Sequence, residues 1–195
     1  MNQSAETDKP KKPPKPPKAI TPALLRGQAL RYLDRFSATT TKMQRHLLNK
    51  SKKAIEYHQL DLESVVEMID VEIGKLVEAG ILNDQEYASS KARTMSRQGK
   101  SKMQIGVKLN TLGFDDLISD HAFSELSEAG HNDRLAAAKY IKKRRFGPFK
   151  PEDTRDERLN KELSTLVRNG FDFGLANALL SLETTEEIED IIYGE

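Results

Sequence analysis

The chain has 195 residues, with 31 Lys plus Arg against 30 Asp plus Glu, so the net charge of +1 points to no partner by itself. It contains no Cys, which excludes disulfides, thiolate metal centres and thiol nucleophiles together and suits a reducing, cytoplasmic setting. No apolar run approaches the roughly 20 residues of a membrane helix, and the opening Met1-Asn2-Gln3-Ser4 lacks the apolar stretch of a signal peptide.

The first predicted element is a tail. Residues 9–18 are Lys and Pro only, so Pro blocks a helix and like charges extend the chain. Residues 1–20 therefore read as a disordered basic segment. The body begins at Thr21-Pro22, an N-cap followed by Pro at the first helical position. From there apolar residues recur at helical spacing, as in Val65/Ile69/Ile73/Leu76, Ile105/Leu109/Leu112 and Leu159/Leu163/Leu166, and no stretch alternates with period two. The expected helices are 22–35, 38–50, 62–79, 84–98, 101–112, 115–129, 133–146, 152–169, 172–181 and 185–192. Gly80, Gly113, Gly130 and Gly170 each close an amphipathic stretch, where a left-handed residue ends a helix. Asn83 or Asp84, Asp115, Asp133, Asp172 and Thr184 stand where the next helix needs an N-cap. The fold class is all-α, and with no Trp and 6% aromatics the core must be largely aliphatic.

One device occurs twice. Gly113-Phe114-Asp115 recurs as Gly170-Phe171-Asp172, with Leu109 matching Leu166, Ile118 matching Leu175 and Phe123 matching Leu180. In each copy a helix stops on Gly, the Phe ring is buried in the corner, and Asp caps the following helix, as in helix-turn-helix units. A weaker copy puts Ser51 in the Gly position, after Met43 and Leu47, with 52–61 as an insertion. The expectation is an elongated array of three tandem three-helix repeats at 21–79, 80–130 and 131–182, sharing a core by stacking, then an acidic helix or tail at 183–195.

Charge is sorted along the chain. Residues 1–60 hold 13 bases and 4 acids; 61–90 hold 8 acids and only Lys75; 91–113 hold six bases and no acid. Residues 114–133 reverse this with six acids, 134–150 carry seven bases, and 151–195 carry 12 acids against four bases. Such blocks either pair between neighbouring helices or present basic strips to a polyanion or an acidic groove. The strips are Arg31, Arg35, Lys42 and Arg45; Arg93, Arg97, Lys100 and Lys102; and Lys139, Lys142, Lys143, Arg144 and Arg145.

Catalytic patterns are missing. His46, His58, His121 and His131 have no partner at zinc-helix spacing. Gly99-Lys100-Ser101 resembles the end of a phosphate loop without its leading Gly or strand, and no Ser sits in a Gly-x-Ser-x-Gly elbow. An enzyme is not expected, nor a cofactor or metal.

The chain resembles the RecX family, modulators of the RecA recombinase. The resemblance is carried by Ala29-Leu30-Arg31-Tyr32-Leu33-Asp34-Arg35-Phe36, by Val77-Glu78-Ala79-Gly80-Ile81-Leu82-Asn83-Asp84-Gln85-Glu86-Tyr87-Ala88, by Arg97-Gln98-Gly99-Lys100-Ser101, by Leu109-Asn110-Thr111-Leu112-Gly113, and by Arg168-Asn169-Gly170-Phe171-Asp172. Ser51 departs from the Gly a first corner prefers, and 183–195 has no counterpart in that pattern. The resemblance implies three tandem three-helix repeats and a non-catalytic protein, expected to be a monomer, that docks in the groove of the RecA–single-stranded DNA filament and bridges neighbouring subunits. There it would inhibit extension, ATP hydrolysis, strand exchange and coprotease activity in recombination, DNA repair and the SOS response. Carried onto this sequence, the partner-facing residues are Arg93, Arg97, Lys100, Lys102, Lys142, Lys143, Arg144 and Arg145. Asp84, Gly113, Phe114, Gly170 and Phe171 serve architecture. The basic strips by themselves also fit a module that binds single- or double-stranded DNA directly.

Overall fold

A computed structural model describes residues 16–194, so most of the Lys/Pro segment lies outside the described residues. Ten α-helices and one short 3-10 turn, Gly147–Phe149, make up the regular structure among the described residues. The fold is all-α. No helix among them is long and apolar enough to cross a membrane.

The chain divides into two compact units. The first comprises the described residues up to Phe36 together with Lys42–Glu78, and the second comprises Ser37–Thr41 and the chain from Ala79 onward.

The first unit holds α1 (Pro22–Leu33), most of α2 (Thr40–His58) and α3 (Leu62–Glu78). Thr21 caps α1 by accepting the Leu24 N–H at 3.2 Å, as the Thr-Pro pair predicts. Leu25, Met43, Leu47, Val65 and Ile69 are buried, which fixes the inward faces of the three helices. The expected stop at Ser51 does not occur. Ser51 is a buried residue inside α2, and the supposed insertion continues the helix to His58. Lys52 to Glu56 contain no Gly or Pro, and Lys, Ala and Glu all favour helix. The helix ends only where Gln59 turns left-handed at φ 51° and the Leu60 N–H reaches back to the Ile55 carbonyl. The corner missing at Ser51 has moved eight residues on.

Glu72 is the unexpected member of this core, with its side chain 1% exposed. Lys75 Nζ lies 2.7 Å from Glu72 Oε1, and Arg26 Nε lies 2.9 Å from Oε2. The Lys75 hydrogen bond, assisted by Arg26, holds the carboxyl below its ordinary pKa against the opposing effect of burial. A depressed carboxylate pKa contributes stability above the unfolded-state value and loses it as pH falls through the folded value. Glu72→Gln should therefore destabilise at neutral pH by about 1–2 kcal/mol. In urea titrations at pH 7 and pH 3 the gap from the parent chain should shrink at the lower pH; equal gaps would show that ionisation is not involved.

The second unit contains two three-helix groups. The first is α4 (Asp84–Arg97), α5 (Lys102–Thr111) and α6 (Asp116–Glu128), around Ala88, Ala92, Ile105, Leu109, Phe114 and Leu126. The second is α7 (Asp133–Arg144), α8 (Glu152–Arg168) and α9 (Phe173–Leu180), around Ala137, Ile141, Leu166, Phe171 and Leu179. A last helix, α10 (Thr185–Tyr193), packs on α7 through the fully buried Ile188 and begins with the Thr184–Glu187 reciprocal cap.

The two Gly-Phe-Asp corners have matching backbones. Gly113 and Gly170 have φ of 87° and 82°, and the Phe114 and Phe171 N–H groups each donate to a leucine carbonyl five residues back at 3.2 Å. Asp115 accepts the Ile118 N–H at 2.8 Å, and Asp172 accepts the Leu175 N–H at 2.9 Å. Both rings are buried. Each corner satisfies the orphan carbonyls of one helix and the orphan amides of the next in three residues.

Candidate basic interface

The basic residues of the second unit gather where α4 ends, α5 begins and α7 runs past. Gly99 turns the chain between α4 and α5 at φ 74°. A Cβ there would come within 3.2 Å of the Ala136 carbonyl and 3.4 Å of Lys139 Cβ, so this turn lies directly on α7. Ser101, fully buried, caps α5 by accepting the Gln104 N–H, and its hydroxyl donates to the Asn169 carbonyl at 2.6 Å. Gln104 Nε2 donates to Asn169 Oδ1 at 3.0 Å.

Asp133 was expected to cap α7. Instead Asn132 does so, accepting the Leu135 N–H at 2.9 Å, and Asp133 is left to accept the Lys102 N–H at 2.7 Å. The same division of labour occurs upstream. Asn83 caps α4, while Asp84 accepts the Thr40 N–H at 2.9 Å and the Thr40 hydroxyl at 2.7 Å. The Asp84 carboxylate thus satisfies the amide and hydroxyl of a residue 44 positions earlier. The recurring Asn-Asp pair at 83–84 and 132–133 is the sequence signal for this joint.

Arg97 is exposed at the end of α4, and Lys100 lies half-buried just beyond it. Lys100 and Lys102 line a pocket of about 290 Å³ with Phe123, His131 and Asp133. Lys102 Nζ sits 5.0 Å from the Phe123 ring centroid, a cation–π contact. Burial, and then the positive charges of Lys139 and Arg97, push the His131 imidazole below its ordinary pKa. The two cations belong to different helices, Arg97 to the end of α4 and Lys139 to α7, which meet at the Gly99 turn. Its Nδ1 is buried with no hydrogen-bond partner among the described residues. Sequence reading set His131 aside as one of four scattered histidines; only the fold brings it among bases.

The remaining cations divide in two. Arg93 is held between Glu86 at 2.5 Å and Glu125 at 3.1 Å, so the acid-rich and base-rich blocks do pair at this point. Lys142 donates to Glu189 at 2.6 Å and to the Tyr193 hydroxyl at 3.3 Å, and those hydrogen bonds raise its pKa. By contrast Lys143, Arg144 and Arg145 are exposed at the end of α7, with the Arg144 guanidinium 5.9 Å from the Tyr140 ring centroid. Arg145 closes the helix in the left-handed region at φ 55°. Arg97, Lys100, Lys143 and Arg145 make no ion pair among the described residues.

No family model matches the chain. Its similarity to individual proteins is clear. It is 32% identical over 163 residues to the regulatory protein RecX of Myxococcus xanthus strain DK1622, covering 83% of this chain and 86% of that protein. The RecX of Agrobacterium fabrum strain C58 is 37% identical over 111 residues, 57% of either chain, and that of Mycolicibacterium smegmatis is 28% identical over 122 residues, 60% of this chain and 63% of the relative. With identity at this level running through nearly the whole helical body, the chain belongs to the RecX family of regulatory proteins.

Proposed function

We propose that this chain is a non-enzymatic, cytoplasmic regulator of homologous recombination and DNA repair that acts on the RecA recombinase. It lies in the groove of the RecA–single-stranded DNA filament as a monomer and inhibits extension, ATP hydrolysis and strand exchange. Its body is built as three three-helix repeats, 21–79, 80–130 and 131–182, followed by an acidic C-terminal helix or tail at 183–195.

The observation that carries this reading is the set of exposed cations without a counter-charge among the described residues, Arg97, Lys143 and Arg145 with the half-buried Lys100, beside the paired Arg93 and Lys142. A folded chain with net charge near zero gains by neutralising its bases internally, and these remain available at helix ends fixed by Gly99 and by the α7 cap. Guanidinium forks and ammonium groups in fixed positions suit carboxylates and phosphates, both of which a nucleoprotein polymer offers. Family membership supplies the regulatory role. The test is a titration into RecA on single-stranded DNA while following ATP hydrolysis. Substoichiometric protein should suppress the rate, and an unchanged rate across the titration would overturn the proposal.

A second reading, direct DNA binding, is favoured by the Gly99 turn, which seats the end of α4, carrying Arg97, and Lys100 against α7 beside Lys139. It predicts affinity for DNA without RecA, with log K falling linearly against log salt. Salt-independent binding, or none, would discard it.

A further inference from the structure

Two exposed apolar faces of this chain carry rims of opposite charge. On α5, Met103 and Val107 lie one turn apart and are 55% and 61% exposed. With Met95 of α4 they line an open groove of about 490 Å³, whose lining includes Lys100 and Lys108 and no acid. The stretch 91–113 contains no acid at all. The groove is also held in shape: Met103 packs on Gly170, where a Cβ would stand 2.9 Å from the Met103 Cβ.

The second face is on α3. Its inward side is Val65, Ile69, Ile73 and Leu76, while Leu62 and Val71 are 53% and 51% exposed. Together with Val66 these line a shallow depression whose charged lining is Asp61, Glu63, Glu67 and Asp70, with no base. Large apolar side chains grouped within a single-sign rim are what a docking surface needs and a solvated helix face does not. The lengths agree as well. Leu62 to Val71 is ten residues, the length of α5 from Lys102 to Thr111, and either spans about 15 Å at the helical rise.

We propose that the α4–α5 groove receives the α3 face of a second copy of this chain, with Leu62, Val66 and Val71 against Met95, Met103 and Val107 and the α3 carboxylates facing Lys100 and Lys108. The two surfaces are different, so the contact is heterologous, and a pair keeps one unused face of each kind, one on each copy. Only a few side chains meet, well below the roughly 1,000 Å² of a stable interface. The chain is therefore monomeric when dilute and associates head to tail when copies are concentrated or held side by side on a polymer. This inference does not depend on the identity of that polymer.

The absence of Cys makes the test direct. Chains carrying Val71→Cys and Val107→Cys singly are mixed at high concentration with a short bis-maleimide. The mixture should cross-link about tenfold or more faster than either variant alone, since docked thiols meet above the bulk concentration. Lys100→Glu with Lys108→Glu in the Val107→Cys chain should abolish that gain. Glu63→Lys with Glu67→Lys in the Val71→Cys chain should restore it, a rescue that misfolding cannot imitate. Equal rates in all mixtures, faster cross-linking of either variant to itself, or failure of the swap would each overturn the proposal.

Discussion

Gly170→Ala should lower the free energy of unfolding by about 2–4 kcal/mol, whereas Gly113→Ala should cost about 1 kcal/mol, although the two glycines hold equivalent places in matching corners. Both have φ above 80°, so any Cβ there incurs the left-handed penalty. The surroundings differ. Around Gly113 a Cβ would meet nothing within 4 Å, while at Gly170 it would meet Met103 Cε at 2.7 Å, Ser101 Oγ at 2.8 Å and Met103 Cβ at 2.9 Å. Met103 Cε can swing aside. Met103 Cβ is fixed by the backbone of α5, and Ser101 Oγ is held by its hydrogen bond to the Asn169 carbonyl. Relief therefore requires separating the α8–α9 corner from α5, which strips the Ser101, Gln104 and Asn169 hydrogen bonds as well. Urea unfolding of the two variants beside the parent chain reads the difference. Equal losses would mean that the corner does not bear on α5.

Reversing Arg97, Lys143 and Arg145 to Glu should raise the concentration for half-inhibition of the RecA ATPase by about 100-fold or more, with little change in thermal stability. The paired control, Arg93→Gln with Lys142→Gln, should leave inhibition within about threefold but lower the melting temperature by a few degrees. The reasoning is local. Arg93 bridges Glu86 and Glu125 and so ties α4 to α6, and Lys142 ties α7 to α10 through Glu189; neither has charge to offer outward without losing those contacts. The three reversed residues have no such counter-charge among the described residues. If the control weakened inhibition as much as the triple reversal, the division between internal and outward cations would be wrong.

Much of the fold was legible because it is local. Glycines at helix ends, Asx and Thr caps, and apolar spacing placed the ten helices of the described residues within a few residues, apart from the C-terminal end of α2. That error has a local cause too. Ser51 was assigned a corner by analogy with Gly113, but Ser has no special access to φ above zero, and the residues after it continue a helix comfortably. The cation set was less legible. Sequence spacing shows which bases share a helix face, but not whether an acid 32 residues away, as Glu125 is from Arg93, will arrive beside one of them. His131 and the joint at Asp133 were invisible for the same reason, since both depend on contacts between helices far apart in the chain.

The joint between Lys102 and Asp133 has a bearing on biosynthesis. The first turn of α5 obtains one of its amide acceptors from a residue 31 positions later. At about 5–20 residues per second, the ribosome delivers that carboxylate about 2–6 seconds after Lys102 itself. Until then the nascent α4–α6 segment has an unfinished helix start, and its apolar strip on α5 has no Gly170 to rest against until later still. Completion of the second unit thus waits on its last-made helices, and ribosome-stalled chains ending before Asp133 should be the ones that bind chaperones.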